Sequence, residues 1–190
     1  QDQIGGLTGG IKLIRTRPGL PQAARLEPVA LTPTLARGLE ERLLLVYTGQ
    51  RRLAKNLLRA VMGRWMARDP EMVAMLAEIA ALAEAMRDAL VAEDLDAFGD
   101  LIARHWEINK RMDPGCSNPF IDDLLALCAP YIVGAKLAGA GGGGFALMVA
   151  RDGAAARELG DVLGRRFRDG EAGLWPCAIA APGLASGEGA

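Results

Sequence analysis

Glycines, rather than any acid, base or nucleophile, are the residues of this chain most clearly arranged for chemistry. Lys136-Leu137-Ala138-Gly139-Ala140-Gly141-Gly142-Gly143-Gly144-Phe145 sets a glycine run between two apolar stretches, Tyr131 to Leu137 and Phe145 to Ala150, that read as strands. Glycine in such a place gives up side-chain packing and chain entropy, roughly 0.5–1 kcal/mol per residue against alanine. Two readings account for this cost. Backbone N–H groups drawn together can cradle an anion, most often a phosphate; or the chain bends tightly where two backbones cross. No Gly-Lys-Ser/Thr follows, so this is not a Walker loop, and a strand rather than a helix comes next, so it is not a dinucleotide fingerprint. Phosphate, if bound here, would sit against a hairpin.

A second feature is basic. The helix opening at Gln50 carries Arg51, Arg52, Lys55, Arg59, Arg64 and Arg68 before its first acid, Asp69. Cations in a first turn oppose the helix dipole by about 0.3–1 kcal/mol each, so Arg51 and Arg52 require acidic neighbours or a bound anion. Arg59, Arg64 and Arg68 read as a solvated face. Arg52 and Lys55, beside the strand end Tyr47-Thr48-Gly49, are candidate anion contacts, because unpaired backbone donors gather where a strand feeds a helix.

Other chemistries lack their residues. The single histidine, His105, stands beside Trp106 on an apolar helix and reads as a packing residue, so no Ser-His-Asp or Cys-His set can be assembled. Cys116, Cys128 and Cys177 form no CxxC pair, which argues against structural zinc; their odd number fits a reducing cytoplasm. A formal net charge of −1 argues against a general nucleic-acid binder. Charged residues interrupt every apolar run short of a bilayer span.

The elements that must position these groups follow from periodicity. Gly10 to Arg17, Ala24 to Leu31 and Arg42 to Thr48 read as strands, with Pro28 marking an edge or bulge. Helical stripes follow at Leu53, Leu57, Val61 and Trp65; at Met72, Met75, Ile79, Leu82 and Met86; and at Leu95, Phe98, Ile102 and Trp106. Pro70 and Asp94-Leu95-Asp96 separate the three. A short helix is expected from Pro119 to Cys128, then the glycine hairpin, a helix from Gly153 to Phe167, and a last strand from Trp175 to Ala180. Strands interleaved with an inserted helical block predict an α+β domain, an antiparallel sheet with helices on one face.

Gln1-Asp2-Gln3-Ile4-Gly5-Gly6-Leu7 resembles the catalytic-Asp segment of the GHMP kinases, and Gly139-Ala140-Gly141-Gly142-Gly143-Gly144-Phe145 their third glycine motif. Two matches in the right order, one at each end, are more specific than either. The sugar-kinase branch, with L-fucose kinases and heptose 7-phosphate kinases, is the most similar part of the superfamily. Leu44 to Gly49 with Arg52, Ala54 and Lys55, then Trp106-Glu107-Ile108-Asn109 and Asp113-Pro114-Gly115-Cys116-Ser117-Asn118-Pro119, carry that further likeness.

The resemblance implies a ferredoxin-like GHMP C-terminal domain over 21–181, a connecting segment with the catalytic Asp over 1–20, and a disordered tail over 182–190. The family's Gly-Leu-Gly-Ser-Ser phosphate loop has no counterpart, so the chain reads as part of a longer kinase, expected inactive alone. The partner implied is the N-terminal GHMP domain, the ligands ATP with Mg²⁺ and a sugar, and neither nucleic acid nor membrane. Asp2 would be the catalytic base, Gly139 and Gly141 to Gly144 would contact the cofactor phosphates, and Gln3, Tyr47, Arg52 and Lys55 the substrate. No metal ligand is assigned within the chain. Two rivals stand beside this reading. One is a non-catalytic sugar- or nucleotide-sensing domain of the same fold; the other is an interaction module whose helical block exposes its methionine stripe.

Overall fold

The computed structural model describes residues 2–17, 19, 23–50, 55–139, 141–167 and 172–180. Its helices start where a side-chain oxygen can take the orphan N–H groups of a first turn. Asp69 accepts from Glu71 and Met72 to open α4 (Pro70–Val91), and Asp94 accepts from Ala97 to open α5 (Leu95–Met112). α6 (Pro119–Cys128) is capped by Asn118, whose Oδ1 accepts from the Ile121 N–H, and α7 (Gly153–Arg166) by Asp152. All four of these starts therefore sit at an Asp or Asn that prefers the cap to the helix interior.

Two short helices were not anticipated. α1 spans Asp2–Leu7, and α2 spans Pro33–Arg42 behind a Thr32 cap that accepts from the Leu35 N–H. α2 passes into β3 (Leu43–Tyr47) with no intervening loop, so no glycine or proline marks its end. α3 covers Lys55–Met66.

The strands divide into two sheets. β1 (Lys12–Arg17) and β2 (Ala23–Pro28) make an antiparallel ribbon, which Arg15 ties to α4 by reaching Glu27 across the ribbon and Glu84 on the helix. β3, β4 (Ile132–Leu137), β5 (Phe145–Ala150) and β6 (Gly173–Trp175) form the main sheet in the order β4-β5-β3-β6, antiparallel throughout. The last strand ends at Trp175, where it was expected to begin. Pro176 has no N–H to donate, so the ladder to β3 closes at the Leu45–Trp175 pair.

One face of the main sheet buries Leu44, Val46, Ala135, Leu137, Ala146 and Met148 against Ile121 and Leu124 of α6 and Leu159 and Leu163 of α7. On the other face lies the inserted helical block, through α5. A Cβ placed on Gly134 would stand 1.9 Å from the Gly99 carbonyl oxygen, so strand and helix backbones approach as only glycine allows. Between α4 and α5, Met72, Met75, Leu82 and Ile108 are buried. The methionine stripe is thus core, which removes the observation that the interaction-module reading needed. Trp65 departs from its expected stripe and is 56% exposed. Leu53 and the 182–190 tail lie outside the described residues.

Candidate functional site

Three loops converge at one end of the main sheet. The β4–β5 hairpin carries the glycine run, β3 ends in Thr48-Gly49-Gln50, and a 3-10 turn (Pro114–Cys116) leads through Ser117 and Asn118 into α6. The glycine tip is bonded to both neighbours. Gly144 donates its N–H to the Gln50 carbonyl at 2.9 Å, and Gly142 donates to the Cys116 carbonyl at 2.5 Å. Thr48, only 1% exposed, completes the seam: its N–H and its hydroxyl both donate to the Gly144 carbonyl at 2.9 Å. The same hydroxyl oxygen accepts from the Gln50 N–H.

This geometry explains the glycines position by position. Gly139, Gly141, Gly142, Gly143 and Gly144 all have positive φ. A Cβ on Gly141 would meet the Cys116 carbonyl oxygen at 2.6 Å, and one on Gly143 the Gln50 carbonyl oxygen at 2.7 Å. The crossing of backbones is therefore real, and it consumes the amides of Gly142 and Gly144. The amides of Gly141 and Gly143 find no acceptor among the described residues. Gly143 is buried and Gly141 half-buried, so both are donors that an outside acceptor would satisfy.

Tyr47 pairs with Phe145, the residue after the run, and their ring centroids lie 5.1 Å apart. Trp175 closes a three-ring cluster, edge-on to Phe145 at 5.8 Å and to Tyr47 at 6.1 Å. Strand alternation puts these rings on the face opposite Val46 and Ala146, and Trp175 is half exposed there. The structure thus brings Tyr47 to the glycine run. Of the other expected site residues, Asp2 and Gln3 form the first turn of α1 and Lys55 opens α3, but their side chains lie outside the described residues. Arg52, with Arg51, lies wholly outside them. Arg64 is no free cation: it pairs with Asp69 at 2.6 Å and Glu71 at 3.3 Å.

The remaining polar groups are tuned by burial. Burial, and secondarily Lys136, pushes His105 down to about 4, so its imidazole is neutral at pH 7, as expected of a packing residue. Burial lowers the Lys136 ammonium as well. Burial, with Asp113 next, lifts the Cys116 thiol to about 11, and burial alone does the same for Cys128, so neither is a thiolate nucleophile. Among the described residues, no group of three or more His, Cys, Asp or Glu could hold a metal ion. Nor is any described helix long and apolar enough to cross a membrane.

Sequence reasoning missed Gln50, Cys116 and Asn118, the residues that fasten the tip. A local signal existed for one of them, since Asn118-Pro119 before an apolar run is a helix-start pattern.

The β4-β5-β3-β6 order, with helices crossing from β3 to β4 and from β5 to β6 and a glycine hairpin between β4 and β5, defines a class. Residues 86–169 match the family GHMP kinases C terminal. More particularly, the bifunctional fucokinase/GDP-fucose pyrophosphorylase of Arabidopsis thaliana is 43% identical over 159 residues, covering 84% of this chain and 15% of that protein. The L-fucokinase/L-fucose-1-P guanylyltransferase of Bacteroides fragilis is 34% identical over 173 residues, covering 86% of this chain and 17% of that protein. The crystal structure of L. major mevalonate kinase in complex with R-mevalonate has a TM-score of 0.68 at 23% identity, covering 90% of this chain and 50% of that one; that likeness bears on the fold. The chain thus spans 15% and 17% of the lengths of the two curated relatives.

Proposed function

We propose that this chain is the C-terminal domain of an ATP-dependent sugar kinase of the L-fucose kinase type, phosphorylating the anomeric hydroxyl, in the cytoplasm. The observation that carries the reading is the 43% identity to a fucokinase across 84% of the chain. The amides of Gly141 and Gly143, which find no acceptor among the described residues, agree with it, because two N–H donors at one loop suit a phosphate or sugar oxygen.

Phosphoryl transfer asks a protein for alignment and charge neutralisation more than for covalent chemistry. Asp2 takes the proton of the sugar hydroxyl, help typically worth about 10²–10⁴-fold. Gly139 and Gly141 to Gly144 line the phosphates, while Gln3, Tyr47, Arg52 and Lys55 face the sugar. ATP, when bound, supplies the phosphoryl group; its loop and the Mg²⁺ ligands come from an N-terminal GHMP domain of the same protein. By itself the 190-residue chain transfers no phosphate.

The test uses the natural reading frame extended upstream, incubated with Mg-ATP and L-fucose, D-arabinose, galactose or heptose 7-phosphate. Sugar 1-phosphate should form, and Asp2→Asn should lower the rate at least about 100-fold. No transfer to any sugar, or an unimpaired Asp2→Asn protein, would leave the sensing-domain alternative.

A further inference from the structure

The two carbonyls that hold the glycine tip belong to separate loops, and a side-chain bond joins those loops. Asn118 Nδ2 donates to Gln50 Oε1 at 3.0 Å. The orientation of the Asn118 amide is not arbitrary, because its Oδ1 is already engaged by the Ile121 N–H at 3.1 Å. Gln50 offers its main-chain oxygen to Gly144 and its side-chain oxygen to Asn118. Asn118 stands two residues beyond Cys116, whose carbonyl holds Gly142. The result is a closed circuit: glycine tip to Gln50, Gln50 to Asn118, back along the chain to Cys116, and from Cys116 to the tip. Ser117 adds rigidity by donating to Asp122 one turn into α6 at 2.6 Å.

We propose that Gln50 and Asn118 are positioning residues, a clamp whose side-chain amide bond fixes the glycine tip so that the Gly141 and Gly143 amides are held for a ligand oxygen. The inference that this serves catalysis rests on the sugar-kinase reading; the clamp itself does not. Without the Gln50–Asn118 bond the two anchoring loops are free to part, and the tip loses the separation that sets the Gly141 and Gly143 donors. Neither side chain needs to touch substrate for this. A small misplacement at such a site is enough to cost orders of magnitude in rate.

The chemistry of Asn118 separates clamp from cap. Asn118→Ser keeps an oxygen for the Ile121 N–H, and serine caps helices about as well as asparagine, but it is too short for Gln50. Asn118→Asp also keeps the cap, and it keeps the clamp if Gln50 turns its amide to donate. Gln50→Glu leaves Asn118 Nδ2 a carboxylate to donate to. Asn118→Asp combined with Gln50→Glu sets two carboxylates face to face, and Gln50→Ala removes the bond from the other side.

Amide hydrogen exchange of Gly142 and Gly144, followed by NMR on the 190-residue chain, reads the clamp directly. Asn118→Ser, Gln50→Ala and the double carboxylate variant should speed both amides by about fivefold or more; the single variants Asn118→Asp and Gln50→Glu should fall short of that. Acceleration below fivefold in the clamp-breaking variants, or equal acceleration in all five, overturns the proposal. In the extended protein, Asn118→Ser should lower kcat/KM for the sugar about tenfold while Tm falls by only about 1–6 °C, as one lost hydrogen bond allows, and Asn118→Asp should restore kcat/KM. A sugar turnover indifferent to these variants overturns the catalytic role. An extended protein that phosphorylates no sugar instead refutes the kinase reading, and the exchange rates still decide the clamp.

Discussion

Alanine placed at four positions of the glycine run should destabilise the chain in two distinct classes. At Gly139 (φ +66°) and Gly144 (φ +84°) an added Cβ meets nothing within 4 Å, so the cost is backbone strain alone. A left-handed non-glycine residue costs about 1–2 kcal/mol, and alanine recovers about 0.4–1 kcal/mol by restricting the unfolded chain. The net is about 0.5–1 kcal/mol. At Gly141 (φ +83°) and Gly143 (φ +157°) the new methyl would also strike the Cys116 or Gln50 carbonyl oxygen, at 2.6 and 2.7 Å. That carbonyl must move, giving up its bond to Gly142 or Gly144. Strain of about 1–3 kcal/mol plus a lost hydrogen bond of about 0.5–1.5 kcal/mol, less the same entropic recovery, leaves about 2–3 kcal/mol. For a domain of this size each kcal/mol moves Tm by about 2–4 °C. Gly141→Ala and Gly143→Ala should therefore melt about 5–10 °C below wild type, and Gly139→Ala and Gly144→Ala only about 1–4 °C below. Thermal unfolding followed by circular dichroism measures all four. If they melt together, the tip is not wedged against its neighbours and the account of why these residues are glycine is wrong.

Two further outcomes test the body of the domain. His105 takes its proton near 4 rather than 6.5, so between those values the unfolded chain binds a proton that the folded chain refuses. Stability should fall as pH drops from 6.5 towards 4 and the contribution should level off below; His105→Gln should flatten that part of the urea midpoint profile, and parallel profiles would refute it. Met75→Ala, at a position 1% exposed in the α4–α5 core, should cost about 2–5 kcal/mol by urea denaturation. Trp65→Ala should cost far less, its ring being 56% exposed, and the opposite ranking would mean that the helical block packs through α3 instead.

Elements with strong periodicity or a cap were legible from the residues. The expected helix Pro119–Cys128 is the observed α6, because Asn118 and Pro119 state its start and the 3-10 turn at Ala129–Tyr131 closes it. The strands flanking the glycines were equally plain, since β5 buries Ala146, Met148, Val149 and Ala150 and admits little polarity. α2 was hidden by its neighbour: Leu35 and Leu39 are a stripe of only two, and the run from Leu43 belongs to a different element with no break between. β6 was displaced because apolar content says nothing about ladder donors, and Pro176 has none. At the site, the glycines were legible as an anomaly, but their partners were not. Gln50 lies 68 positions from Asn118, and no local pattern announces a bond across such a distance.

The two readings of the glycine run turn out to be complementary rather than exclusive. A loop that crosses other backbones must spend amides on their carbonyls; a loop that binds an anion must keep amides free. Here alternate residues divide the work, with Gly142 and Gly144 bonded inward and Gly141 and Gly143 left without protein acceptors among the described residues. Fixing one pair is what gives the other a defined direction, because an amide on an unanchored glycine loop would average over the wide range of φ and ψ that glycine permits. The close carbonyls that forbid a Cβ at Gly141 and Gly143 are the same ones that accept from Gly142 and Gly144. Packing and binding therefore place one demand on the sequence, and a side chain introduced at Gly141 or Gly143 would damage both at once.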